Sequence, residues 1–208
     1  MFFTEITLFS CKITKCENMK KIAIFASGSG TNTNNIIEYF HNNKDISVFI
    51  IFSNNKDAYV NERARQNNIP IIVFDRHQLY ETDFILNILL ENKIDLIVLA
   101  GFLWLVPKNI IQNFNGKMIN IHPALLPKYG GKGMYGLKVH QKVVENQDKE
   151  TGITIHYVNE EYDKGAVILQ EKCPVLPGET PEDVANKVHQ LEYQYYPKVI
   201  EKILNNIK

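Results

Sequence analysis

Four uninterrupted apolar runs recur along the first half of the chain: "KIAIFA" at 21–26, "ISVFIIF" at 46–52, "IPIIVF" at 69–74 and "IDLIVLA" at 94–100. Segments with helical spacing, near 32–41, 57–67 and 82–92, separate them. A strand with one face in water alternates apolar and polar residues; these runs do not, so each is expected to be buried on both faces. Such strands alternating with helices are the pattern of βαβ units, and the expected fold class is α/β, a mostly parallel sheet covered by helices on both faces.

A fifth run, "GKMINIH" at 116–122, closes this pattern at Pro123. Beyond it come a glycine-rich loop at 129–136 and a short helical segment near 138–146. The runs "TGITIHYV" (151–158) and "AVILQEKCPV" (166–175) then flank the turn-rich "NEEYDKG". Two strands joined by a short turn predict an antiparallel hairpin added to the sheet, which makes the sheet mixed. The segment 177–204 opens on Thr180, Pro181 and Glu182, an N-cap followed by a first-turn proline and an acidic first turn, so it reads as a C-terminal helix. Pro197 is expected to kink or break it.

At 208 residues the chain suits one domain, expected over 19–208, with residues 1–18 read as an N-terminal extension because periodic order begins only after Met19. Basic and acidic residues both number 23, which removes any global charge excess to drive nucleic-acid or anionic-membrane binding. No apolar stretch is long enough to span a bilayer. Cys11, Cys16 and Cys173 are an odd number with no C-x-x-C pair, which suits a reducing cytoplasm. The expected partner is a small molecule.

Two stretches carry chemistry. "FASGSGTNTNNII" (25–37) leaves the first strand and enters the first helix, where an α/β sheet offers backbone amides to a phosphate. As a dinucleotide fingerprint it is incomplete: Gly28 and Gly30 fill two positions, Thr33 replaces the third glycine, and "FSNN" at the end of the second strand has no acidic residue for a ribose diol. It also lacks the Gly-Lys-Ser/Thr of a nucleoside triphosphate loop, which leaves a monophosphate as the simplest anion. The alternative is a tight turn in which Thr31 or Asn32 caps the helix.

The second stretch is the end of the fifth strand. Asn120 and His122 are two residues apart, so they share a strand face at the carboxyl edge where open α/β sheets bind ligands. An amide NH2 and a protonated imidazole together can stabilise an oxyanion, and the imidazole can deliver a proton to a leaving nitrogen. A nearby carboxylate is expected to raise the histidine's pKa. Asp163 is the candidate, and Asp148, Glu160 and Glu161 are equally available from the residues alone. The remaining histidines, His41, His77, His140, His156 and His189, show no metal-ligand spacing, and no metal is expected. Tyr193, Tyr195, Tyr196 and Leu191 suit a buried helix face.

The ordered set "IAIFASGSGTN", "ERARQNNIP", "IVLAGFL", "NIHPALLPKYGG", "TGITIHYVNEEYDKGAVILQEKCPV" and "HQLEYQYYP" resembles the phosphoribosylglycinamide formyltransferase family over about Lys20 to Leu204. The resemblance implies an open Rossmann-like sheet and formyl transfer from 10-formyltetrahydrofolate to the amine of glycinamide ribonucleotide in purine synthesis. It implies Asn120, His122 and Asp163 as catalytic residues. It implies Gly30, Thr31, Asn32 and Glu192 as ribonucleotide contacts. Leu103, Trp104, Leu105, Val106, Asn120, Asn159, Glu160, Glu161, Tyr162 and Asp163 would meet the folate, with Arg76 as the basic residue near the third strand. The resemblance also implies a monomer or homodimer. Two departures stand out. Trp104 occupies a position where many members carry Arg, and "KYGGKGMYG" is longer than the common form of that loop. Another formyltetrahydrofolate-using enzyme, or a non-catalytic phosphate-ligand module on the same fold, are the competing readings.

Overall fold

The computed structural model describes residues 19–207; the expected extension at 1–18, with Cys11 and Cys16, lies outside them. Its strands are β1 (Lys20–Ala26), β2 (Ile46–Ser53), β3 (Ile71–Val73), β4 (Leu96–Leu99), β5 (Met118–His122), β6 (Glu150–Tyr157) and β7 (Val167–Pro174). The helices are α1 (Thr31–Phe40), α2 (Val60–Gln66), α3 (Arg76–Tyr80), α4 (Phe84–Glu91), α5 (Lys108–Asn113), α6 (Leu137–Glu145) and α7 (Pro181–Asn206). The strands form one seven-stranded sheet in the order β3-β2-β1-β4-β5-β6-β7. Pairing is parallel from β3 to β5 and antiparallel at β5–β6 and β6–β7. The mixed sheet and the added hairpin stand as expected.

Side-chain alternation along the central strands explains why their sequences are apolar throughout. On β1, Ile22, Ile24 and Ala26 enter a core built with α1, α2, α6 and α7, whereas Ala23 and Phe25 enter a second core built with α3, α4 and α5. Each strand therefore stabilises two layers at once. The chain reverses its direction across the sheet between β1 and β4, and the loops leaving those two strands part at their carboxyl ends, the place where such sheets open a crevice.

Helix α7 forms one wall of that crevice. Thr180 caps it in a reciprocal box with Asp183, and Pro181 occupies its first turn, as the sequence indicates. The expected break at Pro197 does not occur: the helix runs on for 26 residues. Pro197 removes the N–H that would meet the carbonyl of Tyr193, but Asn35 of α1 donates its Nδ2 to that oxygen at 3.0 Å. The proline thus frees an acceptor that α1 uses. Lower down the same helix, the fully buried Tyr196 donates its hydroxyl to Leu99 O at 2.9 Å, fastening α7 to the end of β4. Among the described residues no helix is long and apolar enough to cross a membrane.

The β6–β7 hairpin approaches so closely at Gly152 that a Cβ there would fall on the carbonyl oxygen of Glu171. Backbone cannot yield cheaply inside a paired ladder. Gly152→Ala should therefore lower stability by about 3 kcal/mol, read as an earlier urea midpoint with unchanged slope; a midpoint equal to that of the parent would contradict this packing.

Candidate active site

A cavity of about 780 Å³ occupies the crevice between the β1 and β4 loops. Its walls include Gly30, Thr31 and Asn32 from the first loop, Leu103–Val106 from the loop after β4, Arg76, Asn120, His122, Asn159, Glu161, Tyr162, Asp163 and Glu192. The sequence-expected residues therefore converge, with one correction. Glu160 is not in the wall: it points outward, exposed, and faces Lys108 at 3.4 Å. Its neighbours Asn159 and Glu161 border the cavity, Glu161 from an exposed position at the rim where it pairs with Lys164.

At the first loop, Gly30 adopts φ 70° and a side chain there would sit 2.6 Å from Val60 Cγ2, so glycine is required both for the bend and for the approach of α2. The first hydrogen bond of α1 runs from Asn34 N to Gly30 O at 2.9 Å. The amides of Thr31, Asn32 and Thr33 precede it, and no side chain caps them. This decides against the capping alternative: Asn32 instead donates its Nδ2 to Glu192 Oε2 at 2.9 Å. An uncapped first turn facing a cavity suits an anion.

At the β5 edge, Asp163 collects the other groups. Its Oδ2 accepts the Gly131 amide at 2.8 Å and stands 3.5 Å from His122 Nδ1; its Oδ1 accepts Asn120 Nδ2 at 3.4 Å and stands 3.6 Å from His156 Nε2. Burial pushes its carboxyl up, but the His156 ring, the charge of His122 and the Gly131 amide pull it down further, so the net direction is down and the group stays anionic. Asp163 is chosen over the competing acids by position. Asp148 lies with Lys128 and the Tyr129 hydroxyl, and Glu161 pairs with Lys164.

His122 is 3% exposed. Burial lowers its pKa, and although Asp163 and the Tyr129 carbonyl act the other way, the net shift is downward. Asp163 acts in the expected direction, but the expected protonated ring is corrected: desolvation of the imidazolium outweighs one neighbouring charge. Nε2 lies 2.7 Å from Tyr129 O. A carbonyl only accepts, so Nε2 carries the proton. In the neutral ring Nδ1 is then bare toward Asp163, which fits a separation of 3.5 Å, too long for a charge-assisted hydrogen bond.

His156 is a site residue that the sequence reading missed. It pairs directly with Asn120 across the antiparallel β5–β6 register. Its Nδ1 donates to Tyr157 O at 2.8 Å, leaving Nε2 to accept from Asn120 Nδ2 at 3.2 Å. The Asn120 amide is thus shared between His156 and Asp163, and its donors turn to a ligand only by exchange of partners.

At the outer mouth Trp104 is held between Arg76, whose guanidinium lies 4.6 Å over the indole, and Tyr80, 6.3 Å away; the Tyr80 hydroxyl donates to Leu105 O at 2.9 Å. On the opposite wall His189 Nδ1 lies 2.9 Å from Glu192 Oε2, and that hydrogen bond raises the His189 pKa. His140 packs beside it, with ring centroids 6.5 Å apart.

The chain matches the formyl transferase family model over residues 20–200. It is 44% identical over 189 residues to the phosphoribosylglycinamide formyltransferase of Haemophilus influenzae, covering 88% of this chain and 86% of that one. It is 39% identical over 190 residues to the chloroplastic phosphoribosylglycinamide formyltransferase of Arabidopsis thaliana, with 88% of this chain and 65% of the plant protein covered. The crystal structure of glycinamide ribonucleotide transformylase 1 from Geobacillus kaustophilus superposes with a TM-score of 0.81 at 36% identity, covering 89% of this chain and 99% of that one. With a family match that spans nearly all the described residues and the same fold in a solved relative, the chain belongs to the formyl transferase family.

Proposed function

We propose that the protein transfers the formyl group of 10-formyltetrahydrofolate to the amine of N1-(5-phospho-D-ribosyl)glycinamide, a step of de novo purine synthesis. The observation that carries this reading is one cavity with an uncapped helix start at one end and the Asn120, His122 and Asp163 cluster within it. The names of the relatives agree with it. The first turn of α1, with Gly30, Thr31 and Asn32, takes the phosphate, and Glu192 the body of the ribonucleotide. Leu103–Val106, Asn159, Glu161, Tyr162 and Arg76 take the folate. Trp104 contributes an aromatic face in a position where many members carry a guanidinium, and Arg76 supplies the cation beside it.

Chemistry follows from the protonation state of His122. When substrate displaces the Tyr129 carbonyl, Nε2 is released, and the neutral ring turns to the tautomer with Nδ1–H toward Asp163. The substrate amine attacks the formyl carbon, the carbonyl oxygen becomes an oxyanion held by Asn120 Nδ2, and His122 Nε2 takes the amine's proton. Asp163 stabilises the imidazolium so formed. The carbon–N10 bond then breaks as the same proton passes to N10, leaving the formylated amide and tetrahydrofolate. His122 returns to its neutral form.

Two substitutions test this assignment. His122→Ala should cut kcat for formyl transfer by about a hundredfold or more, measured as formation of tetrahydrofolate; near-parental turnover would overturn the mechanism. Asn32→Ala leaves the α1 amides in place but releases Glu192, so KM for the ribonucleotide should rise about tenfold while kcat moves less than about twofold. An unchanged KM would return Asn32 to a structural role.

A further inference from the structure

One loop touches both reacting groups, and the side chains that fasten it lie outside the substrate cavity. Residues 129–131 place the Tyr129 carbonyl 2.7 Å from His122 Nε2 and the Gly131 amide 2.8 Å from Asp163 Oδ2. The Tyr129 side chain is held elsewhere. Its hydroxyl donates to Asp148 Oδ2 at 2.8 Å and accepts from Asn146 Nδ2 at 2.6 Å, and Lys128 pairs with the other Asp148 oxygen. Asp148 stands in the turn between α6 and β6, its own amide bonded to Val143 O at 3.1 Å and its side chain only 15% exposed. It borders a second cavity of about 350 Å³, which shares no lining residue with the first.

Formyl transfer makes two different demands on this loop. The Tyr129 carbonyl has to leave His122 when substrate enters, whereas the Gly131 amide has to stay, because a carboxylate withdrawn from water keeps its charge and its aim only with donors in place. A loop without an anchor would lose both contacts together. Fastened at the Tyr129 ring, it can turn one peptide and keep the next, since glycines follow at 130 and 131 and Gly131, at φ 97°, uses backbone freedom that side chains lack. Position 130 is restricted by space as well: a Cβ there would lie 2.6 Å from Leu126 Cδ2 and 3.3 Å from Asp163 Cβ. Tyr129 itself holds φ 58°, a conformation that persists only where the surroundings enforce it, and the bonds at its hydroxyl supply such a constraint.

We propose that Asp148 is a positioning residue for formyl transfer, which clamps the Tyr129 hydroxyl and so holds residues 129–131 in register with His122 and Asp163. The inference rests on the formyl-transfer reading for its kinetic arm. Tyr129→Phe and Asp148→Ala should each lower kcat about five- to tenfold with KM for both substrates within about twofold. The double variant should lose no more than the weaker single, because both remove one clamp. Asp148→Asn, which keeps an oxygen for the hydroxyl, should stay within about twofold of the parent. Acetate, against a chloride control of equal ionic strength, should restore part of the Asp148→Ala rate through the second cavity and none of the Tyr129→Phe rate. Losses that multiply, parental rates in the single variants, or no acetate rescue specific to Asp148→Ala overturn the proposal. Tyr129→Phe carries the test alone if Asp148→Ala does not fold, through a measurement that needs no turnover. The His122 Nε2 proton, bonded to Tyr129 O, should give a slowly exchanging NMR signal in the parent, and its exchange should quicken about tenfold when the clamp is removed. An unchanged exchange rate overturns the clamp; a quickened one in a protein that formylates nothing upholds the clamp and removes the activity.

Discussion

A carboxylate largely withdrawn from water stays charged only where donors and polar rings face it, and at Asp163 this requirement organises the whole reacting end of the molecule. The Gly131 amide and the Asn120 side chain donate to it, and the rings of His122 and His156 stand within 3.6 Å, so three separate stretches of the chain, the end of β5, the loop at Gly131 and β6, meet at one acid. The backbone of Asp163 takes the left-handed conformation, φ 56°, which an aspartate tolerates better than most side chains but still at a cost. That conformation aims the carboxylate back at the β5 edge. The antiparallel hairpin matters for the same reason: it returns the 159–165 turn to the place where β5 ends, and no parallel crossover of this length would.

Around this anion, burial and charge pull on His122 in opposite directions. Burial is the stronger, so the resting imidazole is neutral, and its proton is on the nitrogen that meets Tyr129 O rather than on the one that meets Asp163. The resting site therefore stores the base in an internal hydrogen bond. Tyr129 itself sits at φ 58°, a conformation uncommon outside glycine and asparagine, in a segment bound to Asp163 through Gly131. The carbonyl that occupies His122 and the amide that holds Asp163 thus belong to the same loop.

Much of the scaffold was legible from residue patterns. Runs such as "IDLIVLA" could be buried on both faces only in a parallel sheet between helices, and Thr180-Pro181 marked the start of α7 by capping chemistry alone. Asn120 and His122 were legible as a pair because a spacing of two is a shared strand face. His156 was not, because its partnership with Asn120 depends on the β5–β6 register, which no local pattern encodes; aligning "INIH" antiparallel to "TIHY" would have brought the two together. At Pro197 the freed carbonyl of Tyr193 is met by a donor 158 residues away in sequence, and which of Asn159, Glu160 and Glu161 border the cavity depends on a turn. The sign of the His122 shift escaped for a related reason: sequence shows which charges are near, and only the packed structure shows how much water is lost.

The central claim is that Asp163 opposes burial at His122 and fixes the ring that carries the proton. Its most direct test is an NMR titration of the His122 ring in the parent protein and in Asp163→Asn. In the parent the pKa should lie below the ordinary histidine value of 6.5, so that the ring is neutral above that pH and gains its proton only as the pH falls through the lowered value. Removing the carboxylate charge removes the principal influence acting against burial, and the pKa in Asp163→Asn should move lower still. A His122 that titrates at or above 6.5 in the parent, or at the same pH in both proteins, would contradict the account.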